Sequence, residues 1–238
     1  TVFEKNEIPG GMLTYGIPSY KLEKDVIDAE IEIMREMGVE IKTGVEVGKD
    51  VSLSDLRKEG YKAFYIAIGC QGGRYPGVKG EKAEGTETAI DFLHRANTGK
   101  LQFSDETVIV GGGNVAIDAS RVSKRSGAKK VTMLSLETED IMPASKLEIK
   151  EAREDGVEIK CGWGPKEVIE ENGKVVGVVF KRCTSVFNSE GKFDPKYNEE
   201  ETITLPATKV IFAIGQKIEW GSLLEGENVE FHRGNYPK

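Results

Sequence analysis

The stretch Val108-Ile109-Val110-Gly111-Gly112-Gly113-Asn114-Val115-Ala116 limits the possible folds more than any other part of the chain. An apolar run of strand length meets three glycines, followed by Ala116, Ile117, Ala119 and Val122 at helical spacing as far as Gly127. Residues 130–136 then repeat the pattern of a buried strand. Strand, tight turn, helix and strand make a βαβ unit, the local grammar of a parallel sheet with crossover helices. The expected fold class is α/β with a doubly wound sheet.

The same glycines fit the pattern G-x-G-x-x-G/A, with Gly111, Gly113 and Ala116 at its three set positions. A phosphate needs bare backbone N–H groups at a helix N-terminus, where the dipole adds a favourable field. Gly111 allows the sharp turn, Gly113 removes a Cβ that would strike a pyrophosphate, and Ala116 lets the helix lie close to its strand. The expectation is a nicotinamide dinucleotide site; a purely structural glycine turn is the alternative. Cofactor choice rests on Leu134-Ser135-Leu136-Glu137, where a carboxylate can bond ribose hydroxyls whereas an Arg would grip a 2′-phosphate. Glu137 favours NAD(H) over NADP(H), unless it is a solvated acid and Lys129, Lys130 or Arg153 reaches a phosphate. Glu4 also closes an apolar strand, and would suit the ribose of a second dinucleotide.

Elsewhere, apolar residues at helical spacing predict a helix over 25–37, stopped by Gly38. Further helices are expected after Ser52-x-x-Asp55, over 88–96, and from Ser145-x-x-Glu148 to Asp155. Residues 39–47 and 157–160 read as extended, and Asn172-Gly173 as the type I′ turn of a hairpin. Residues 8–12 read as a turn-rich loop and the polar stretch 188–200 as an exposed loop. The continuous apolar run 63–69 reads as a strand covered on both faces. It echoes residues 209–216, both runs ending in Ala-Ile-Gly, as two dinucleotide-binding domains would require. Asn97-Thr98-Gly99 marks an expected domain boundary. A start at Thr1 inside a strand, and an end at Asn235-Tyr236-Pro237-Lys238 without regular structure, suggest a piece excised from a longer polypeptide.

A formal charge of -7 with scattered Lys and Arg offers no basic face for nucleic acid or anionic lipid. Cys70, Cys161 and Cys183 form no C-x-x-C pair, so no metal site is expected. No apolar run approaches the roughly 20 residues of a membrane span, and a cytoplasmic address is the default expectation. His94 and His232 lie apart, and no serine sits in a G-x-S-x-G elbow, so no catalytic residue is nominated. Hydride chemistry needs none, because cofactors supply the reactivity. Trp163 and Trp220 are expected to serve packing.

The chain resembles the glutamate synthase small-subunit-like and dihydropyrimidine dehydrogenase-like oxidoreductases of the pyridine nucleotide-disulfide oxidoreductase superfamily. The resemblance is carried by Val2-Phe3-Glu4-Lys5, Gly10-Gly11-Met12-Leu13, Gly16-Ile17-Pro18 with Lys21-Leu22, and Gly38-Val39. It continues through Ala67-Ile68-Gly69, Gly111 to Asp118, Met142-Pro143-Ala144 and Ala213-Ile214-Gly215-Gln216. It implies a Rossmann-like NAD(P)-binding domain inserted in an incomplete FAD-binding domain. The implied boundaries are 1–98 for the partial FAD domain, 99–217 for the NAD(P) domain and 218–238 for the return segment. It places Glu4 and Lys5 at the FAD adenosine, Gly11 and Met12 near the flavin, and Lys21 and Val47 at further FAD contacts. Around the nicotinamide dinucleotide it places Gly112, Gly113, Asn114 and Val115 together with Ala213, Ile214 and Gly215.

The implied activity is hydride transfer between NAD(P)H and FAD, with electrons passed to iron-sulfur or glutaminase/synthase-type partner subunits or domains. Two features depart from the resemblance. Leu136 and Glu137 stand where NADPH-using relatives carry basic residues, and the first FAD glycine motif is absent, so the piece is expected not to retain flavin alone. The rival readings are a non-catalytic NAD(H)-binding or assembly module and a thioredoxin-reductase-like enzyme, the latter opposed by the missing C-x-x-C.

Overall fold

The computed structural model describes residues 1–101, 104–232 and 236–238. The chain divides into two compact units, one built from Thr1–Gly72 with Gln216–Lys238 and the other from Gly73–Gly215. The second unit therefore begins well before the break expected at Gly99. The reason lies in residues 86–97: a strand there joins the main sheet and the helix after it packs into the same core.

In the first unit, β1 (Val2–Glu4) pairs in parallel with β2 (Ile41–Thr43), placing Glu4 beside Thr43. The loop expected at residues 8–12 instead opens a short helix, α1 (Gly11–Tyr15), with Gly10 in a left-handed conformation at φ 111°. Helix α2 (Lys24–Glu36) buries only Ile27 and Ile31, and Gly38 ends it as expected, at φ 92°. Helix α3 (Leu53–Lys58) starts where Ser52 Oγ accepts the Asp55 N–H at 3.1 Å. Its Leu53 and Leu56 form a small core with Leu223.

The strand expected over 63–69 is absent: these residues are irregular, with Tyr65 95% exposed. An apolar run becomes a strand only when a neighbour completes its ladder, and no described residue pairs with this one. The echo between this run and residues 209–216 is thus one of sequence alone. The tail expected to end irregularly pairs Phe231–His232 with Tyr236–Pro237, while Asn235 lies outside the described residues.

The second unit holds a five-stranded parallel sheet. Its strands are β3 (Thr86–Thr88), β4 (Glu106–Val110), β5 (Lys130–Ser135), β6 (Glu158–Cys161) and, last in the chain, Lys209–Phe212. The last strand lies between β3 and β4, giving the spatial order β3, Lys209–Phe212, β4, β5, β6. Helices α4 (Ala89–Asn97), α5 (Asn114–Arg125) and α6 (Lys146–Glu154) share a core with one face, where Ile109, Ala116, Ile117, Met133 and Ile211 are fully buried. The opposite face packs Val108, Val110, Val210 and Phe212 against Val178 and Phe180 of a three-stranded antiparallel sheet. That sheet comprises β7 (Trp163–Glu171), β8 (Lys174–Phe187) and β9 (Phe193–Pro206). Burial on both faces explains why the central strands read as continuous apolar runs.

The hairpin turn is as expected, with Asn172 at φ 52° and Gly173 at φ 78°. The exposed loop expected over 188–200 is mostly strand. Asn188 closes a short turn by accepting the Glu190 and Lys192 N–H groups, and β9 then runs along the sheet edge with register shifts. Charged, bulged edge strands read as loop because most of their side chains face water. Among the described residues no helix is long and apolar enough to cross a membrane.

Candidate nucleotide-binding site

Three strand ends meet at the glycine turn. Gly111 N–H donates to Leu134 O at 2.8 Å, and Ala213 N–H donates to Val110 O at 2.7 Å. Gly111 has φ +144°, and a Cβ there would lie 2.4 Å from Ala213 O, so the backbone geometry and the neighbouring strand exit both demand glycine. A Cβ on Gly112 would lie 2.4 Å from Ser135 Oγ and 2.8 Å from Glu137 Oε2, so the carboxylate sits directly on the turn. Gly113 is different. Its backbone is ordinary (φ -95°, ψ 177°), and a Cβ would meet nothing within 4 Å. The protein's own packing gives no reason for glycine at this position, which opens onto the head of α5. The N–H groups of a first helical turn have no intrahelical acceptors and carry the positive end of the dipole. Ala116, fully buried, seats that helix against the sheet.

Glu137 is held in place. Ser135 Oγ donates to Glu137 Oε2 at 2.6 Å, the Glu137 N–H returns a bond to Ser135 Oγ at 3.1 Å, and Gly162 N–H donates to Glu137 O at 3.0 Å. Ser135, buried and not singled out from sequence, is legible only as the residue two before the acid. The three cations proposed for a phosphate are elsewhere or engaged. Lys130 stands in strand register opposite Glu106 at the far end of β5, Lys129 Nζ lies 3.0 Å from Asp105, and Arg153 forks onto Glu139 at 2.7 and 2.6 Å.

A strap absent from the sequence reading ties the turn to the segment before α6: Ala144 N–H donates to Gly112 O at 3.0 Å and Ser145 N–H to Asn114 Oδ1 at 2.9 Å. Only the run Met142-Pro143-Ala144 hinted at it. Beyond Ala213, Ile214 leads to Gly215 at φ +116°, whose carbonyl accepts the Arg74 N–H at 3.2 Å. Burial pushes the Cys161 and Cys183 thiols up, the direction that disfavours the reactive thiolate.

In the first unit, Glu4 Oε1 accepts the Asn6 backbone N–H at 2.8 Å and its Nδ2–H at 2.9 Å. Glu4, Lys5, Gly11 and Val47 line a cavity of ≈ 470 Å³, with Phe3 and Tyr61 among its walls. Met12 and Lys21 stand outside this lining. The Met12 side chain instead lies over Gly16, where a Cβ would come within 2.3 Å of Met12 Cε, and Lys21 closes a turn on Pro18 O.

Residues 5–237 match the family described as pyridine nucleotide-disulphide oxidoreductase. The chain belongs to that family. It is 38% identical over 242 residues to "Glutamate synthase [NADPH] small chain" of Escherichia coli (strain K12), a match spanning 92% of this chain and 50% of that protein. It is 35% identical over 229 residues to "NAD-dependent dihydropyrimidine dehydrogenase subunit PreT" of the same organism, spanning 95% and 50% respectively. The chain thus spans about half the length of these relatives. Among solved structures, Mycobacterium tuberculosis FprA in complex with NADPH superposes with a TM-score of 0.78 at 19% identity, covering 97% of this chain and 65% of that one. T. acidophilum thioredoxin reductase superposes with a TM-score of 0.66 at 16% identity, covering 100% and 75%. These two likenesses are of fold, a Rossmann-like α/β architecture.

Proposed function

We propose that this chain is the NAD(P)-binding portion, with part of the adjoining FAD domain, of a flavoprotein oxidoreductase that moves hydride between NAD(P)H and FAD. Gly113 is the observation that carries the reading. Neither its backbone angles nor any protein neighbour requires glycine, yet it borders the uncapped amides of α5. A dinucleotide's diphosphate supplies the missing reason, because it must approach the backbone where a Cβ would stand.

When bound, the nicotinamide and the flavin supply the hydride donor and acceptor. The chain's residues bind and orient. Gly112, Gly113, Asn114 and Val115 present their amides to the diphosphate, while the Met142–Ala144 strap fixes the turn through Ala144. Glu137, oriented by Ser135, accepts the ribose hydroxyls and disfavours a 2′-phosphate, so NADH is the preferred form. Ala213, Ile214 and Gly215 border the nicotinamide half. The shared cavity of Glu4, Lys5, Gly11 and Val47 supports their service to FAD, whereas Met12 and Lys21, outside that lining, are proposed as FAD contacts on the family resemblance alone.

Electrons then leave for iron-sulfur or flavin centres of partner subunits or domains. The names of two relatives, a "small chain" and a "subunit", support an assembly of this kind. Calorimetric titration with NADH and NADPH tests the site, and saturable NADH binding is expected. Anaerobic addition of NADH to the reconstituted, FAD-loaded full-length protein should bleach the oxidised flavin; binding without bleaching would favour a non-catalytic NAD(H)-binding module instead.

A further inference from the structure

The corner beyond Glu137 carries a second charged arrangement. After Glu137 the chain makes one 3-10 turn, Glu139–Ile141, and there both carboxylate oxygens of Glu139 accept hydrogen bonds from Arg153 of α6. The fork is bidentate, with Nη1 to Oε1 at 2.7 Å and Nη2 to Oε2 at 2.6 Å. Around it, Lys146, Lys150, Asp140 and Glu154 line the same depression, and Lys150 lies 3.7 Å from Glu154. Three cations thus face three carboxylates.

This corner adjoins the strand end that selects the ribose. Cys161 pairs in register with Ser135, the residue that orients Glu137, and Gly162 bonds to Glu137 O. Glu139, which holds Arg153, stands two residues after Glu137.

A guanidinium beyond this strand is the group that grips a ribose 2′-phosphate, and it does so with a two-pronged fork. Here that fork is already filled. We infer that Glu139 is a specificity-determining residue: by occupying Arg153 it withholds the cation a 2′-phosphate would need, and so favours NADH over NADPH. The inference rests on the proposed nucleotide site. Neutralising Glu139 leaves three cations against two carboxylates and releases the fork. Both side chains are about half exposed, with Arg153 at 45% and Glu139 at 55%, and an exposed ion pair of this kind contributes little to folding.

The test titrates the whole chain with NADH and NADPH at one ionic strength. Glu139→Gln should tighten NADPH by about two- to fivefold relative to NADH, the worth of an exposed ion pair that no longer has to be broken, with NADH affinity unchanged. Adding Arg153→Ala to Glu139→Gln should abolish the gain, and Arg153→Ala alone should leave the ratio at its starting value. An unchanged ratio in Glu139→Gln with NADH binding intact overturns the inference, as does a gain that survives the loss of Arg153. A wild-type chain that binds neither nucleotide overturns the site itself, which is a distinguishable failure.

Discussion

An alanine at position 113 keeps an allowed backbone and touches no protein atom within 4 Å. Two folding effects then oppose each other. Alanine restricts the unfolded chain, which stabilises by about 0.4–1 kcal/mol. As an N-cap it is poorer than glycine, which costs on the order of 0.5–1 kcal/mol. The net change should fall within about 1 kcal/mol of zero, a midpoint shift of roughly 2–4 °C at most for a domain of this size. Position 111 should behave in the opposite way. There φ is +144° and the new Cβ would lie 2.4 Å from Ala213 O, so strain of about 1–3 kcal/mol adds to a backbone clash of similar cost. Gly113→Ala should therefore melt like the wild type yet bind NADH at least about tenfold more weakly, a loss of about 1.4 kcal/mol. Gly111→Ala should lose stability outright. Scanning calorimetry and NADH titration on the same samples read both quantities. If Gly113→Ala binds NADH as the wild type does, the diphosphate does not approach this glycine and the reasoning fails.

Further outcomes follow from the same geometry. Glu137→Ala should weaken NADH by about 1.5–3 kcal/mol, the worth of a charged hydrogen bond, while weakening NADPH less; equal losses would remove Glu137 from ribose recognition. Phe180→Ala, at a fully buried position beneath the parallel sheet, should cost about 3–5 kcal/mol in urea unfolding, and a loss under about 1 kcal/mol would contradict the packing described. The Asp155 carboxyl is held below its usual 3.8, chiefly by the Arg125 hydrogen bond, with burial opposing and Arg121 assisting. A depressed folded value means that its stabilisation is present above the unfolded value and lost as pH falls through the folded one. The gap in urea midpoint between the wild type and Asp155→Asn should hold steady at neutral pH and close as pH drops below 3.8; a pH-independent gap would refute the linkage.

Local signals in the sequence were strong enough to be read where they were self-contained. The caps at Ser52 and Ser145 and the left-handed Asn172-Gly173 turn each depend on residues within four positions of one another, so the chain writes them out directly. The βαβ unit around Gly111 was legible for the same reason, and with it the parallel sheet. Residues 63–69 misled because apolar content records burial preference, not the presence of a ladder partner. Residues 193–206 misled in the reverse sense, since a solvated edge strand carries the composition of a loop.

At the candidate site, residue pattern alone nominated the groups proposed to meet a phosphate or a ribose: the glycines at 111 to 113, Ala116 and the acid at 137. Only the tertiary structure separated the roles of those glycines. One is forced by the exit of Lys209–Phe212, one by the Ser135–Glu137 pair, and one by nothing in the protein. It also decided that Lys129 and Lys130 lie at the wrong end of their strand and that Arg153 is taken by Glu139. The physical reason is distance along the chain. A turn conformation is set by neighbours in sequence, whereas a steric demand or an ion pair is set by whichever remote segment packing brings alongside.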